Sequence, residues 1–420
     1  MRRKDNSWKY IIYVIVVLFL FSFVANLLSG NENYLLVTVS LVPSAILAFS
    51  LYLGRDDSLF TPMNLIFANI FISVTAQTYY FCFLDGGLSR FGLYGLNDFN
   101  SLLYGNIIVS IAMLCLVSGH FFGGVFVGAR SKNKFQLDKF QLDVWNSRVV
   151  YSVVFLMIAI SLYSLVLYAR KFNIFTEIEL NISAKRRLYD DVGKFESGVF
   201  ARFGANLSQT AFFIAYIHYL VLRKNNIKSA LKPLLIVLFV IGCIFPFIAS
   251  SRAGLVNFVL CSAVIFHFLD KGLKWRHISY LILVAFAVVI IMGLLRFSSQ
   301  SGSFSITDYT QRRNSESVLG VVLASNNFVS IGKTSIVVDS IPDQFDYLYG
   351  ESYFYWVYAA VPRAIWPNKP PVKLGLILGP KIFGSNLNTG VPPGAIGEAY
   401  INFGIYGVVF VLFLTGAFLR

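Results

Sequence analysis

The chain has 420 residues, of which 56% are apolar, only 13% charged and 41 phenylalanine, whereas a soluble domain carries about 25% charged residues. This composition excludes an ordinary soluble enzyme. The formal charge of +14 is divided among loops between apolar runs, not gathered into a patch for nucleic acid. Cys82, Cys115, Cys243 and Cys261 all fall inside apolar runs, without metal or disulfide spacing, and read as small buried hydrophobes.

Apolar runs of about 20 residues, the length that crosses a bilayer core, recur along the chain. They place spans at 10–28, 34–53, 63–84, 101–127, 149–169, 205–222, 233–250, 254–270, 278–295 and 396–419. The first follows Met1-Arg-Arg-Lys but is longer than the core of a signal peptide and lacks a small-x-small cleavage site, so it is expected to be retained. Backbone groups in lipid must bond within their own segment, so each span is expected to be a helix. The expected fold is all-α, a polytopic bundle of about ten spans or more. Arg2, Arg3, Lys4, Arg55, Arg130, Lys132, Arg223 and Lys274 lie on one side of this arrangement. The short loops on the other side hold only Arg90 and Arg252, which puts the N-terminus inside.

Two segments on the outer side are long. The organisation expected is a transmembrane bundle over 1–295 with an external loop at 170–204, a large external loop over 296–395, and a final span over 396–420. Within 296–395, "ESYFYWVYAAVPRAIWP" and "LGLILGPKIFG" are too short or too broken by proline to span. They suit helices lying in or re-entering the interface and make this loop an ordered cap.

The residues able to do chemistry are few. His120, His218, His267 and His277 fall near inner helix ends, where snorkelling explains them. There is no Asp-x-Asp, no carboxylate cluster of metal spacing and no Walker loop. What the outer side offers is cations. In "ASSRAGLVNF", Arg252 occupies a tight turn whose Ser250 and Ser251 can cap the next helix. A guanidinium at a helix N-terminus suits an anion, with a lone snorkelling arginine as the alternative. In "VPRAIWPNKPP", Arg363 and Lys369 stand on proline-stiffened backbone among aromatics; an aromatic belt with incidental charge is the competing explanation. The segment "ISAKRRLYDDVGKFESGVFARFG" sets Lys185, Arg186 and Arg187 beside the membrane, as solvated charge or as a docking surface for anionic headgroups. In "PPGAIGEAYINFGIYG", Glu398 enters the last span with Asn402 one turn further on the same face. Gly397, Gly404 and Gly407 there permit close approach. The carboxylate either pairs with Arg252 or Arg363 or acts as a base.

"SSRAG" between two spans, a long loop carrying "PRAIWPNKP", and "GEAYINFG" opening a late span together resemble a Wzy-type O-antigen polymerase, the oligosaccharide repeat unit polymerase of bacterial inner membranes. The resemblance implies a metal-independent GT-C-type glycosyltransferase with its active site facing the periplasm and no cofactor. Its donor would be a glycan on undecaprenyl pyrophosphate and its acceptor a new lipid-linked repeat unit. Carried onto these motifs, it makes Arg252 and Arg363 catalytic and pyrophosphate-binding, Lys369 and Arg187 further pyrophosphate contacts, and Glu398 the base or the partner of an arginine. Membrane lipids and a chain-length regulator are the implied partners, without nucleic acid. A flippase or transporter of lipid-linked oligosaccharides is the alternative from a different class, and an O-antigen ligase the nearer one. Members of the family often continue beyond the span that here stops at Arg420.

Overall fold

A computed structural model describes residues 7–54, 61–83, 98–130, 145–171, 192–227, 231–248, 251–270, 331–361, 374–383 and 391–419, with scattered positions over 273–292 and 365–366. Its regular elements are all helical, and there is no strand among the described residues. In chain order they are α1 (Ser7–Ser29), α2 (Glu32–Gly54), α3 (Pro62–Ile70), a π-turn (Phe71–Ala76), α4 (Gln77–Phe83), α5 (Phe99–Arg130), α6 (Ser147–Lys171), α7 (Val192–Lys224), α8 (Leu231–Ile248) and α9 (Arg252–Leu269). There follow α10 (Ile331–Ser340), a 3-10 turn (Glu351–Phe354), α11 (Tyr355–Ala360), α12 (Leu374–Lys381) and α13 (Gly394–Phe418).

Five helical stretches are long and apolar enough to cross a membrane: Glu32–Leu53, Pro62–Phe83, Phe99–Val125, Ser147–Leu167 and Gly394–Phe418. Shorter apolar helices lie at Val17–Ser29, Leu231–Phe247, Ala253–Leu269 and Leu283–Met292. The protein is therefore a membrane protein. Every expected span with described residues contains helix.

The chain divides into two compact units, one formed by Met1–Lys132 with Asn314–Arg420 and the other by Asn133–Arg313. In the first, α5 and α13 pack closely because glycines remove the side chains between them. Gly119 and Gly123 lie against the backbone of Phe413 and Ala417, and Gly416 lies against that of Leu116 and His120. Hydroxyls join α2 to the π-turn: Thr75 donates to the Ser40 carbonyl at 2.7 Å, and the Thr75 and Ser44 hydroxyls share a hydrogen bond of 2.7 Å. The π-turn interrupts what the hydropathy presents as one uniform span.

Helix α10 was not foreseen, because "IGKTSIVVDS" is short and mixes polar with apolar residues. Its Ser335 lies against Gly105, while its Asp339 accepts from Ser101 at 3.2 Å. A step of four residues up α5 thus matches a step of four back along α10, so the two run antiparallel. Val337 faces Gly397 of α13. Wedged against both helices, α10 is buried at every position except Asp339, and Lys333 is only 2% exposed. Burial pushes the Lys333 ammonium down to about 8.

The second unit is built on α6 against α7, with α8 and α9 added. Phe258 of α9 packs on Phe212 of α7 and Phe239 of α8, each at 5.1 Å between ring centroids, and closes over Gly242. Ser251 caps α9 by accepting from Gly254 N–H at 3.2 Å, the capping role expected of this serine pair. Two histidine assignments need correction. His120 and His218 do not snorkel: they are 7% and 2% exposed, and His218 shares a 3.0 Å hydrogen bond with Ser147. Helix packing shuts both rings away from solvent.

Candidate active site

The best-defined polar constellation lies where α13 begins. Two prolines precede that helix, and Pro393 occupies its N-cap position. Ten residues later the helix breaks: Phe403 and Gly404 have non-helical backbones, Gly404 with φ 63° and ψ −147°. That region is essentially reserved for glycine. A break in the helical ladder frees carbonyls just before it, and a neighbouring segment takes them up. Leu348 N–H donates to the Ile401 carbonyl at 3.0 Å and Tyr349 N–H to the Asn402 carbonyl at 3.1 Å. Tyr347 meanwhile lies over Gly404, whose Cβ, if it had one, would sit 3.1 Å from the Tyr347 hydroxyl.

This docking brings Gly350 and Ser352 onto Asn402 and Glu398. Asn402 is fully buried. Its Oδ1 accepts from Gly350 N–H at 2.9 Å, and its Nδ2 donates both to Ser352 Oγ and to the Glu398 carbonyl at 2.8 Å. Ser352 Oγ in turn donates to Glu398 Oε1 at 2.8 Å. The order is therefore amide to hydroxyl to carboxylate, with each proton direction fixed by the group behind it. Tyr353 lies beside Asn402 and Glu398. Burial, with the Glu398 charge second, pushes its phenol up to about 12.

A half-buried carboxylate held by a serine that is itself held by an asparagine has a defined orientation. It is chemically suited to accept a proton from an alcohol. Among the described residues no group of histidine, cysteine, aspartate and glutamate has the makings of a metal site.

Of the residues expected to form the site, Glu398 is placed in full, and its described side-chain partner is Ser352 in place of an arginine. Arg252 is the first residue of α9, in the second unit; its side chain lies outside the described residues. Arg363, Lys369 and Arg187 also lie outside them. The spacing of Glu398 and Asn402 was read correctly as one face of one helix. Ser352, Tyr353 and Gly350 were missed. The sole hint was a serine inside an aromatic run, "ESYFYW".

No family model matches the chain. Two curated relatives, both named O-antigen polymerase and coming from Salmonella typhimurium and Salmonella typhi, are each 26% identical to it over 196 residues. The match covers 46% of this chain and 42% of each relative, so less than half of either relative's length is spanned. No solved structure matches.

Proposed function

We propose that this protein is an O-antigen polymerase: a glycosyltransferase that moves a growing glycan from undecaprenyl pyrophosphate to a new lipid-linked repeat unit on the periplasmic face of the inner membrane. The observation that carries the proposal is the oriented Glu398 carboxylate at the start of a membrane span. The similarity to proteins named O-antigen polymerase supports the same reaction class.

In the step proposed, an acceptor sugar hydroxyl gives its proton to Glu398 as its oxygen attacks the anomeric carbon of the donor. The bond from that carbon to the pyrophosphate oxygen breaks, and the electron pair leaves with the pyrophosphate. Ser352 keeps the carboxylate aimed, and Asn402 keeps Ser352 aimed. Negative charge grows on the departing diphosphate, and fixed guanidinium groups meet it without a metal. Arg252 and Arg363 are the cations proposed for this, assisted by Lys369 and Arg187; a GT-C-type architecture and a docked chain-length regulator belong to the same proposal.

The test is direct. Purified protein in detergent, supplied with undecaprenyl-pyrophosphate-linked repeat units and EDTA, is expected to produce a glycan ladder. Arg252→Ala and Arg363→Ala should each abolish long products, and lysine at either position should restore little, because a point charge lacks the bidentate fork. A folded wild-type protein that yields no ladder in either EDTA or magnesium would overturn the assignment in favour of a transporter. A ladder that requires magnesium would overturn the metal-free step.

A further inference from the structure

The helix contacts of the first unit share one register. Gly119 and Gly123 of α5 meet Phe413 and Ala417 of α13. The two helices therefore run parallel, and their first residues, Phe99 and Gly394, stand level to within one residue. Helix α10 runs the other way, with Ser335 on Gly105, Asp339 on Ser101 and Val337 on Gly397. Carried along α10, this register sets Ser340 level with the two helix heads. Ile331 falls level with Val109 and Phe403, ten residues beyond Phe99 and nine beyond Gly394, about 14 Å down at 1.5 Å per residue.

After Ser340 the chain descends a second time. Leu348 and Tyr349 bond to the carbonyls of Ile401 and Asn402, and Asn402 is about 12 Å below Gly394 along the helix. It then rises, because Ser352 bonds to Glu398, only about 6 Å below the head. These levels translate into membrane depth. The 25 residues of Gly394–Phe418 make a helix of about 37 Å, against a hydrocarbon core of about 30 Å. Even with the whole excess of about 7 Å standing out at this end, Ile331 and Tyr349 lie about 5 Å or more inside the core.

The side chains and backbone agree with that level. Lys333 is only 2% exposed, and a charge at such a depth has to be covered by protein. Irregular backbone inside a membrane has to be bonded, and the N–H groups of Leu348, Tyr349, Gly350, Glu351 and Tyr353 all are. What is left uncovered is aromatic: Tyr349 is 76% exposed, and Phe403, 43% exposed, lies over Gly350 and continues into the exposed Tyr406 and Phe410 of the span. The exposed acid Glu351 stands beside Ser352 on the rising limb, at a level that the excess length of the span accounts for.

We propose that residues 331–352 are embedded in the leaflet at the heads of α5 and α13: a half-helix that starts inside the membrane, followed by a loop that re-enters it, with Tyr349 and Phe403 forming a surface that fits lipid acyl chains. The proposal requires α13 to cross the bilayer and is independent of the reaction proposed for Glu398.

The experiment uses the full-length protein in lipid nanodiscs. A fluorescent amino acid is introduced by codon suppression at position 343, 349 or 406, and its emission is followed with nitroxide on the lipid acyl chain, nitroxide on the headgroup, or aqueous iodide. Asp343 and Tyr406 are both exposed and serve as the water and lipid references. The label at 349 is expected to lose its emission to the acyl-chain nitroxide and to resist iodide, as at 406, whereas the label at 343 should respond to iodide and the headgroup nitroxide. A label at 349 that behaves like the one at 343 would overturn the proposal. The unmodified protein gives a second reading through a carbene reagent dissolved in the lipid and mapped by mass spectrometry. Adducts on Tyr349 together with Tyr406 are expected, and adducts on Tyr406 without Tyr349 would likewise place the segment outside the hydrocarbon and overturn it.

Discussion

Replacing Asn402 by alanine tests whether the knot holds the outer segment onto the broken helix. The side chain is fully buried and makes three hydrogen bonds, to Gly350 N–H, Ser352 Oγ and the Glu398 carbonyl. Each such bond contributes about 1 kcal/mol net. The substitution also strands the Gly350 N–H in a buried place, a further penalty of about 1–3 kcal/mol. The backbone bonds from Leu348 and Tyr349 survive, so the segment is weakened without being released. The expected destabilisation is about 4–6 kcal/mol, at or beyond the upper end of single substitutions. Denaturant titration in mild detergent would measure it, and limited proteolysis at 348–354 would show whether the loss is local. Ser352 would also lose the group that orients it, so glycan synthesis should fall even at temperatures where Asn402→Ala remains folded. A change below about 1 kcal/mol with undiminished synthesis would refute the claim that this network organises the site.

Other consequences follow from the same geometry. Gly404→Ala forces a side chain into a conformation that costs about 1–3 kcal/mol and presses it on Tyr347. Its melting temperature should drop, and an unchanged value would mean that the kink is not as described. Gly416→Val places branched carbons against the Leu116 carbonyl, which cannot move aside as a side chain would. It should destabilise the α5–α13 pair by about 1–3 kcal/mol or more, measurable by thermal melting. Lys333 predicts a pH dependence. Its folded value near 8 lies below the ordinary 10.5, so unfolding takes up a proton between those values and stability should rise with pH across that window. The full swing corresponds to about 3 kcal/mol. Lys333→Met should flatten the slope over pH 8–10.5, and an unaltered slope would assign it to other groups.

Much of the fold was legible because crossing lipid imposes a length and a composition that any stretch of sequence carries by itself. The helices at Glu32–Gly54, Phe99–Arg130 and Gly394–Phe418 fall where uninterrupted apolar runs put them. The π-turn at Phe71–Ala76 and helix α10 did not announce themselves. The first changes hydrogen-bond register without changing hydropathy, and the second is stabilised by the groove it fills, not by its own pattern.

The site divides along the same line. Glu398 and Asn402 are four residues apart on one helix, so their shared face follows from helical periodicity, and an acid at the edge of an apolar span marks itself by its expense. Nothing local ties Ser352 to Glu398 or Gly350 to Asn402, which are 46 and 52 residues apart in the chain. Their meeting depends on the kink at Phe403–Gly404, which opens two carbonyls to the backbone N–H groups of Leu348 and Tyr349. The sequence by itself determined a helical membrane protein with a carboxylate at the head of a span. Which hydroxyls surround that carboxylate was decided only by tertiary structure, because hydrogen bonds between distant segments depend on packing that no local pattern encodes.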